Sequence, residues 1–205
     1  MLDVKPVVFV VDDDVSVRES LELLIEAAGW RTATFSSGQE FLDHPHLNTP
    51  SCLVLDVNLP GLSGLELQSL VADRTDMPII FITGYGDVPI IVRAMRAGAV
   101  EFLAKPLVGE VLLAAIQEAI SRSRKELERG ALMRSLRESY ATLSRREQEV
   151  MALVVCGRMN KQVGGELGIS EITVKAHRGR MMRKMKAGTL TDLVRMAARL
   201  QLTRF

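Results

Sequence analysis

Proline stops abruptly in this chain. All seven prolines lie at or before Pro106, and the remaining 99 residues contain none. A stretch of that length without a residue that breaks the main-chain ladder is free to be helical throughout. Charge divides at nearly the same place. Residues 1–120 hold 7 Lys/Arg against 17 Asp/Glu, whereas residues 121–205 hold 19 basic residues against 8 acidic ones. The overall charge of +1 therefore hides a balance of −10 followed by +11. An acidic first part and a basic, proline-free second part imply two domains with separate tasks, the second facing a polyanion.

The first part alternates short apolar runs with helical spacing. Val7–Val11, Thr32–Phe35, Cys52–Leu55, Pro78–Ile82 and Val100–Leu103 are the predicted strands. Between and after them, Ser16–Ala28, the stretch beginning Gly38–Leu42, Gly64–Ala72, Val88–Ala97 and Glu110–Ile120 are the predicted helices, the first capped by a Ser16/Glu19 box. Continuous apolar strands alternating with helices predict a parallel sheet covered on both faces.

Four of the five strands end in a residue able to do chemistry: Asp12/Asp13, Asp56, Thr83 and Lys105. Ligands of an open α/β sheet bind at the carboxyl ends of its strands. Three carboxylates gathered there repel one another unless a cation shares them. Oxygen ligands without His or Cys point to Mg²⁺, with a lysine and a hydroxyl suited to phosphate oxygens. Any one of these residues has an ordinary reading as a turn residue or a surface charge. Their coincidence at four strand ends favours a site.

Residues 7–120 resemble the receiver domain of two-component response regulators. The resemblance rests on Val10-Val11-Asp12-Asp13-Asp14, on Leu55-Asp56-Val57-Asn58-Leu59-Pro60-Gly61-Leu62-Ser63-Gly64, on Ile82-Thr83-Gly84 and on Phe102-Leu103-Ala104-Lys105-Pro106. It implies a five-stranded doubly wound parallel sheet of the flavodoxin/CheY-like kind, with strand order 2-1-3-4-5. It implies that Asp56 accepts a phosphoryl group from a sensor histidine kinase. Mg²⁺ would be held by Asp13, Asp56 and the backbone carbonyl of Asn58, with Asp12 acting through water. Lys105 would pair with the phosphoryl group, in front of a cis Lys-Pro bond. Thr83 and Phe102 would form the switch, Asn58 and Tyr85 would tune hydrolysis, and the face formed by Val88–Ala97 and Val100–Lys105 would become a dimerisation surface.

Residues 121–142 lack the Pro/Gly/Ser bias of a flexible coil and predict a helical linker continuing the last receiver helix, interrupted or bent at Gly130. Beyond it, Ser144 with Glu147 forms a capping box for a helix over 143–157. Asn160–Leu167 is a short second helix, Gly168 a turn, and Ser170 the cap of a third helix carrying Lys175, Arg178, Arg180, Arg183, Lys184 and Lys186. Helix, tight turn and basic helix make a helix-turn-helix, whose second helix enters the DNA major groove.

Residues 143–199 resemble the output domain of the LuxR and NarL/FixJ regulators, through Leu143-Ser144-Arg145-Arg146-Glu147, Gly157-Arg158-Met159-Asn160-Lys161, Leu167-Gly168-Ile169-Ser170-Glu171, Thr173-Val174-Lys175-Ala176-His177 and Lys184-Met185. The resemblance implies a four-helix domain with base contacts at Lys175, Ala176 and Gly179. It implies backbone contacts at Asn160, Lys161, Thr173 and Arg180, and a dimer contact through a fourth helix over 189–202. The chain departs from the pattern at Gly164-Gly165, each costing about 1 kcal/mol relative to alanine in a helix, at Gly179, and at Lys186-Ala187-Gly188-Thr189.

The expected organisation is a receiver domain over 1–120, a linker over 121–142 and a DNA-binding domain over 143–205. Cys52 and Cys156, far apart in apolar segments, are expected to be reduced, buried thiols of a cytoplasmic protein. Apolar runs are too short to span a bilayer, so no membrane partner is expected. His44 and His46 lack further ligands, and Met181, Met182 and Met185 are expected to pack a core. The functional expectation is a FixJ-type regulator that is phosphorylated on Asp56, dimerises, binds double-stranded promoter DNA and activates transcription through RNA polymerase. It is not expected to be an enzyme. A phosphohydrolase would carry a second aspartate where this chain has Asn58, and a DNA-binding protein with an unphosphorylated receiver would not need the full acceptor set.

Overall fold

The computed structural model describes residues 5–84 and 88–202, and divides into two compact units, Met1–Glu128 and Arg129–Phe205. Tyr85 lies outside the described residues.

Five strands, β1 (Val7–Val11), β2 (Arg31–Phe35), β3 (Ser51–Asp56), β4 (Ile79–Thr83) and β5 (Glu101–Ala104), form one parallel sheet in the order β2-β1-β3-β4-β5. The alternate faces of the apolar strands fill two cores. Phe9, Leu53, Leu55 and Phe81 pack with α2 (Gly38–Asp43), α3 (Gly64–Leu70) and α4 (Val88–Arg96) on one side. Val8, Val10, Val54, Ile80 and Ile82 pack on the other with Leu21 and Ile25 of α1 (Val15–Ala27) and Leu112 and Ile116 of α5 (Gly109–Ala141). Burial on both faces is why these strands carry unbroken apolar runs.

Two local expectations are corrected. The cap of α1 is Asp14, whose carboxylate accepts from the backbone N–H groups of Ser16 and Val17, so the helix begins before Ser16. Aspartate caps as well as serine and adds a negative charge at the positive helix end. In α5, the helix continues through Gly130 without interruption over 33 residues. One glycine costs only about 1 kcal/mol, which the turns on either side offset. Within the first unit, the buried Ser123 hydroxyl accepts from Ser51 N–H (2.9 Å) and donates to the Asp76 carbonyl, fixing α5 to the strand entrances.

The second unit holds the end of α5 with α6 (Arg145–Val155), α7 (Asn160–Leu167), α8 (Glu171–Lys184) and α9 (Leu190–Arg199). Ser144 with Glu147 and Thr189 with Asp192 form capping boxes, and Ser170 caps α8. Leu136, Val150, Met151, Val154, Val163, Val174, Met181, Met185 and Leu193 form the core. Met182 packs against it, as expected of the three methionines. Cys52 is buried, and burial pushes its thiol far up; Cys156 is exposed, contrary to expectation. Cys156 is the C-terminal capping residue of α6, one position past the buried Val154 and Val155. Among the described residues, no helix is long and apolar enough to cross a membrane.

Candidate functional site

The parallel sheet delivers its functional residues to one edge because every strand ends there. Asp56 is the last residue of β3 and Thr83 of β4, while Asp12 and Lys105 follow β1 and β5 directly. Lys105 reaches across the edge: its Nζ lies 2.6 Å from Asp12 Oδ2 and 3.0 Å from Asp56 Oδ1. The other carboxylate oxygens are held by main chain. Asp12 Oδ1 accepts from Asp14 N–H (2.9 Å) and Asp56 Oδ2 from Asn58 N–H (2.8 Å). Asp12, Asp56 and Thr83 are buried, and Lys105 is partly exposed. The Lys105–Pro106 peptide is cis.

Electrostatics follow from that geometry. Burial pushes the Asp12 carboxyl above its ordinary range, although the bonds from Lys105 and Asp14 oppose it. For Lys105, burial opposes the charge, but its bonds to Asp12 and Asp56 outweigh it and raise the pKa. Two buried carboxylates share one ammonium, so the cluster keeps an uncompensated negative charge. With oxygen donors alone, it suits a further hard cation.

Of the predicted metal ligands, the structure brings together Asp12 and Asp56, with Lys105 between them. Asp13 and Asn58 are exposed at the rim, and among the described residues no three acidic, His or Cys side chains converge as a metal cluster. Phe102 is half-buried, its ring 6.1 Å from that of Phe81. His44 packs against Phe9 and Phe35, and His46 pairs with Asp76, which accounts for both without a metal.

Two contributors escaped sequence reading. Arg18 donates to the Asp12 carbonyl (2.6 Å), six residues away with no pattern to announce it. Gly64 lies so close to β3 that a Cβ there would sit 2.3 Å from the Asp56 carbonyl oxygen and 3.1 Å from the Phe81 ring. Only a glycine lets α3 start against the strand end that carries Asp56.

In the second unit, Gly168 (φ 68°) turns the chain between α7 and α8, and the Ser170 hydroxyl accepts from Thr173 N–H (3.1 Å). Val174, Met181 and Met185 bury one side of α8. The opposite side, at positions 172, 176, 179 and 183, is exposed, with Lys175 on one flank and Thr173 and Arg180 on the other. Lys175, Ala176 and Gly179 thus lie on the outward part of the helix. Lys161 is exposed on α7, and Asn160 is half-buried, its Oδ1 accepting from Arg178 (3.1 Å).

Not every cation of the basic helix faces outward. Arg178 is spent on Asn160, and Lys184 Nζ lies 2.6 Å from the buried Glu147 carboxylate and 3.0 Å from the Thr142 carbonyl. Burial pushes the Glu147 carboxyl up, but Lys184 and the Ser144 donors hold it below its ordinary range. These two cations stitch α8 to its own domain. Their partners are 18 and 37 residues away, beyond any helical spacing. Lys175, Arg180 and Arg183 are exposed on α8, Lys175 with its ammonium 3.1 Å from the Glu171 carboxylate.

Residues 8–117 match the response regulator receiver domain, and residues 141–197 match the luxR family of bacterial regulatory proteins. The chain is 50% identical over 194 residues to nodulation protein W of Bradyrhizobium diazoefficiens, covering 94% of this chain and 86% of that protein. It is 43% identical over 202 residues to the response regulator protein TmoT of Ectopseudomonas mendocina, covering 98% and 92%. It is 39% identical over 193 residues to the transcriptional regulatory protein FixJ of B. diazoefficiens, covering 94% of each. The solved structure of the response regulator StyR matches with a TM-score of 0.85 at 44% identity, over 95% of this chain and 98% of that one.

Proposed function

The chain belongs to the NarL/FixJ family of response regulators, a receiver domain joined to a LuxR-type DNA-binding domain, and from that premise we propose that Asp56 is its phosphoacceptor. The observation that carries the reading is the single ammonium of Lys105 shared by the buried carboxylates of Asp12 and Asp56. A carboxylate is a modest nucleophile, so the reaction rests on positioning and on neutralising the phosphoryl oxygens. Asn58 N–H holds one Asp56 oxygen, leaving the oxygen beside Lys105 as the attacking atom. That oxygen bonds phosphorus as the phosphorus–nitrogen bond to the sensor kinase's phosphohistidine breaks. Lys105 then pairs with the new phosphoryl oxygens, and Thr83, at the neighbouring strand end, donates its hydroxyl to one of them.

Receiver domains generally use Mg²⁺. Here Asp13, Asp56 and the Asn58 carbonyl would hold it, with Asp12 acting through water, and the surplus negative charge supports that fit. When bound it supplies positive charge to the transferring group. Asp13 is the exposed member, at the rim of the cluster.

Thr83 drawn toward the phosphoryl group vacates space into which Phe102 turns, reshaping α4 and β5 as a dimer surface. Dimerisation presents two copies of α8 to two half-sites of promoter DNA, so a modest receiver change alters occupancy greatly. Lys175, Ala176 and Gly179 face the bases, while Asn160, Lys161, Thr173 and Arg180 hold the backbone. The dimer works in the cytoplasm with a sensor kinase upstream and RNA polymerase downstream, and activates transcription. The chain catalyses only its own phosphoryl transfer and dephosphorylation. Residues 121–142 serve as the helical joint between the receiver over 1–120 and the DNA-binding domain over 143–205.

The test is solution mass and phosphate content with Mg²⁺, with and without acetyl phosphate, for wild type and Asp56→Asn. Phosphate uptake and dimerisation by wild type alone are expected. Uptake by Asp56→Asn would remove Asp56 as acceptor, and uptake without a change in mass would end the dimer mechanism.

A further inference from the structure

Ile172 is 80% exposed, the most exposed large apolar side chain among the described residues. A lone exposed isoleucine is ordinary on a protein surface, but its position in α8 is not. It stands in the first turn of the helix, and helix propensity does not favour its β-branch. It also heads the stripe continued by Ala176 and Gly179, opposite the buried Val174, Met181 and Met185. Ala176 and Gly179 carry almost no side chain, so the helix backbone can come close to whatever faces it. Arg180 flanks the stripe on one side, and Lys175, with its ammonium 3.1 Å from the Glu171 carboxylate, on the other. The face is therefore apolar and shallow over its first two turns, with basic side chains at its margins and at Arg183 beyond. That is complementary to a duplex whose phosphates lie on either side of a groove floor, and the first turns of a recognition helix are the part that meets base edges.

Thymine alone displays a methyl group in the major groove. We propose that Ile172 is a specificity-determining residue that packs on the 5-methyl group of a thymine, selecting T·A at one position of each half-site. The proposal rests on the DNA-binding reading of the second unit and adds to it a residue and the base it reads.

The full-length chain, with acetyl phosphate and Mg²⁺, is used to enrich duplexes from a randomised library. Each thymine of the enriched sequence is then replaced singly by deoxyuridine, which deletes the methyl group and leaves hydrogen bonding intact. One position per half-site is expected to weaken wild-type binding about fourfold, the worth of one buried methyl group. The penalty is expected to vanish in Ile172→Ala and to persist in Ile172→Val, with no fall in unfolding temperature because the side chain is exposed. If no thymine is sensitive, or if Ile172→Ala keeps the wild-type sensitivities, the assignment is overturned while DNA binding stands. If Ile172→Ala instead changes only the solution mass, the residue faces a second copy and the proposal fails. If wild type enriches no sequence, the DNA-binding reading fails first.

Discussion

Gly164 and Gly165 are neighbours in α7, and substitution by alanine is expected to move stability in opposite directions. A Cβ at Gly165 meets nothing within 4 Å, and the residue is exposed, so alanine there adds helix propensity alone. The expected gain is about 1 kcal/mol. A Cβ at Gly164 would sit 2.7 Å from the Ile169 carbonyl oxygen, a backbone atom that cannot rotate away. The turn is held in place because Ile169 N–H donates to the Gly164 carbonyl (3.0 Å). Relieving the clash requires α7 and the start of α8 to part by several tenths of an ångström. Overpacking of this kind costs about 1–3 kcal/mol, so after the propensity gain Gly164→Ala is destabilised by up to ~2 kcal/mol.

The assay is thermal unfolding of the full chain followed by far-UV circular dichroism, with tryptophan fluorescence as an internal control. The one tryptophan, Trp30, lies in the first unit, so its transition reports on the receiver and should not move. For a unit of this size about 1 kcal/mol shifts the midpoint by roughly 4–8 °C. The helical transition should rise by that amount in Gly165→Ala and fall in Gly164→Ala. Gly164→Ala should also lose DNA affinity beyond its stability loss, because α8 is displaced. Equal shifts of one sign would refute the close-approach argument.

Gly64→Ala should cost about 2 kcal/mol or more by displacing the end of β3, and should abolish phosphate uptake from acetyl phosphate with every acceptor-site side chain intact. Lys105→Met removes the ammonium between two buried carboxylates and should destabilise the receiver by about 2 kcal/mol at neutral pH. The two carboxylates then repel without a shared cation, and protonation, which burial already favours at Asp12, relieves the repulsion. The stability deficit against wild type should therefore shrink as pH falls toward the carboxylate range, which Tm against pH will read. Glu147 behaves oppositely. Its folded pKa is lowered, so its contribution is present above the ordinary glutamate value of 4.5 and is lost as pH falls through the folded value. Lys184→Met should cost about 1–2 kcal/mol, discounted because the lysine is partly exposed, and should flatten the acid limb of the helical unit's Tm profile.

Much of the molecule was legible because its signals are local. Unbroken apolar runs gave the strands, and Ser144/Glu147 and Ser170 gave two helix starts to the residue. Asp56 and Thr83 stood out because strand ends are where a parallel sheet presents its ligands. What remained hidden was relational. Glu147 reads as half of a capping box, yet it is also the partner of Lys184, and only the packing of α6 on α8 brings them together. Arg178 and Lys184 count in the sequence only toward the basic charge of α8, because a linear sequence does not say which flank of the helix is covered. The Ser16/Glu19 pair reads as the cap of α1, yet Asp14, the last of three aspartates in a row, takes that place.

The glycines show the same limit more sharply. By propensity, Gly164 is a defect in a helix, identical in sequence terms to Gly165. In the fold, Gly164 is the point where α7 passes a carbonyl of the turn that aims α8. Gly64 does the equivalent in the receiver, where α3 starts against the carbonyl of Asp56. In each unit, then, the element that carries function is positioned by a backbone-to-backbone approach that any side chain would block. Propensity prices a glycine against its own helix, whereas packing prices it against a neighbour that the helix has not yet met. Where the two disagree, stability measured at the glycine tells which price governs, and the Gly164/Gly165 pair makes that comparison within a single turn of helix.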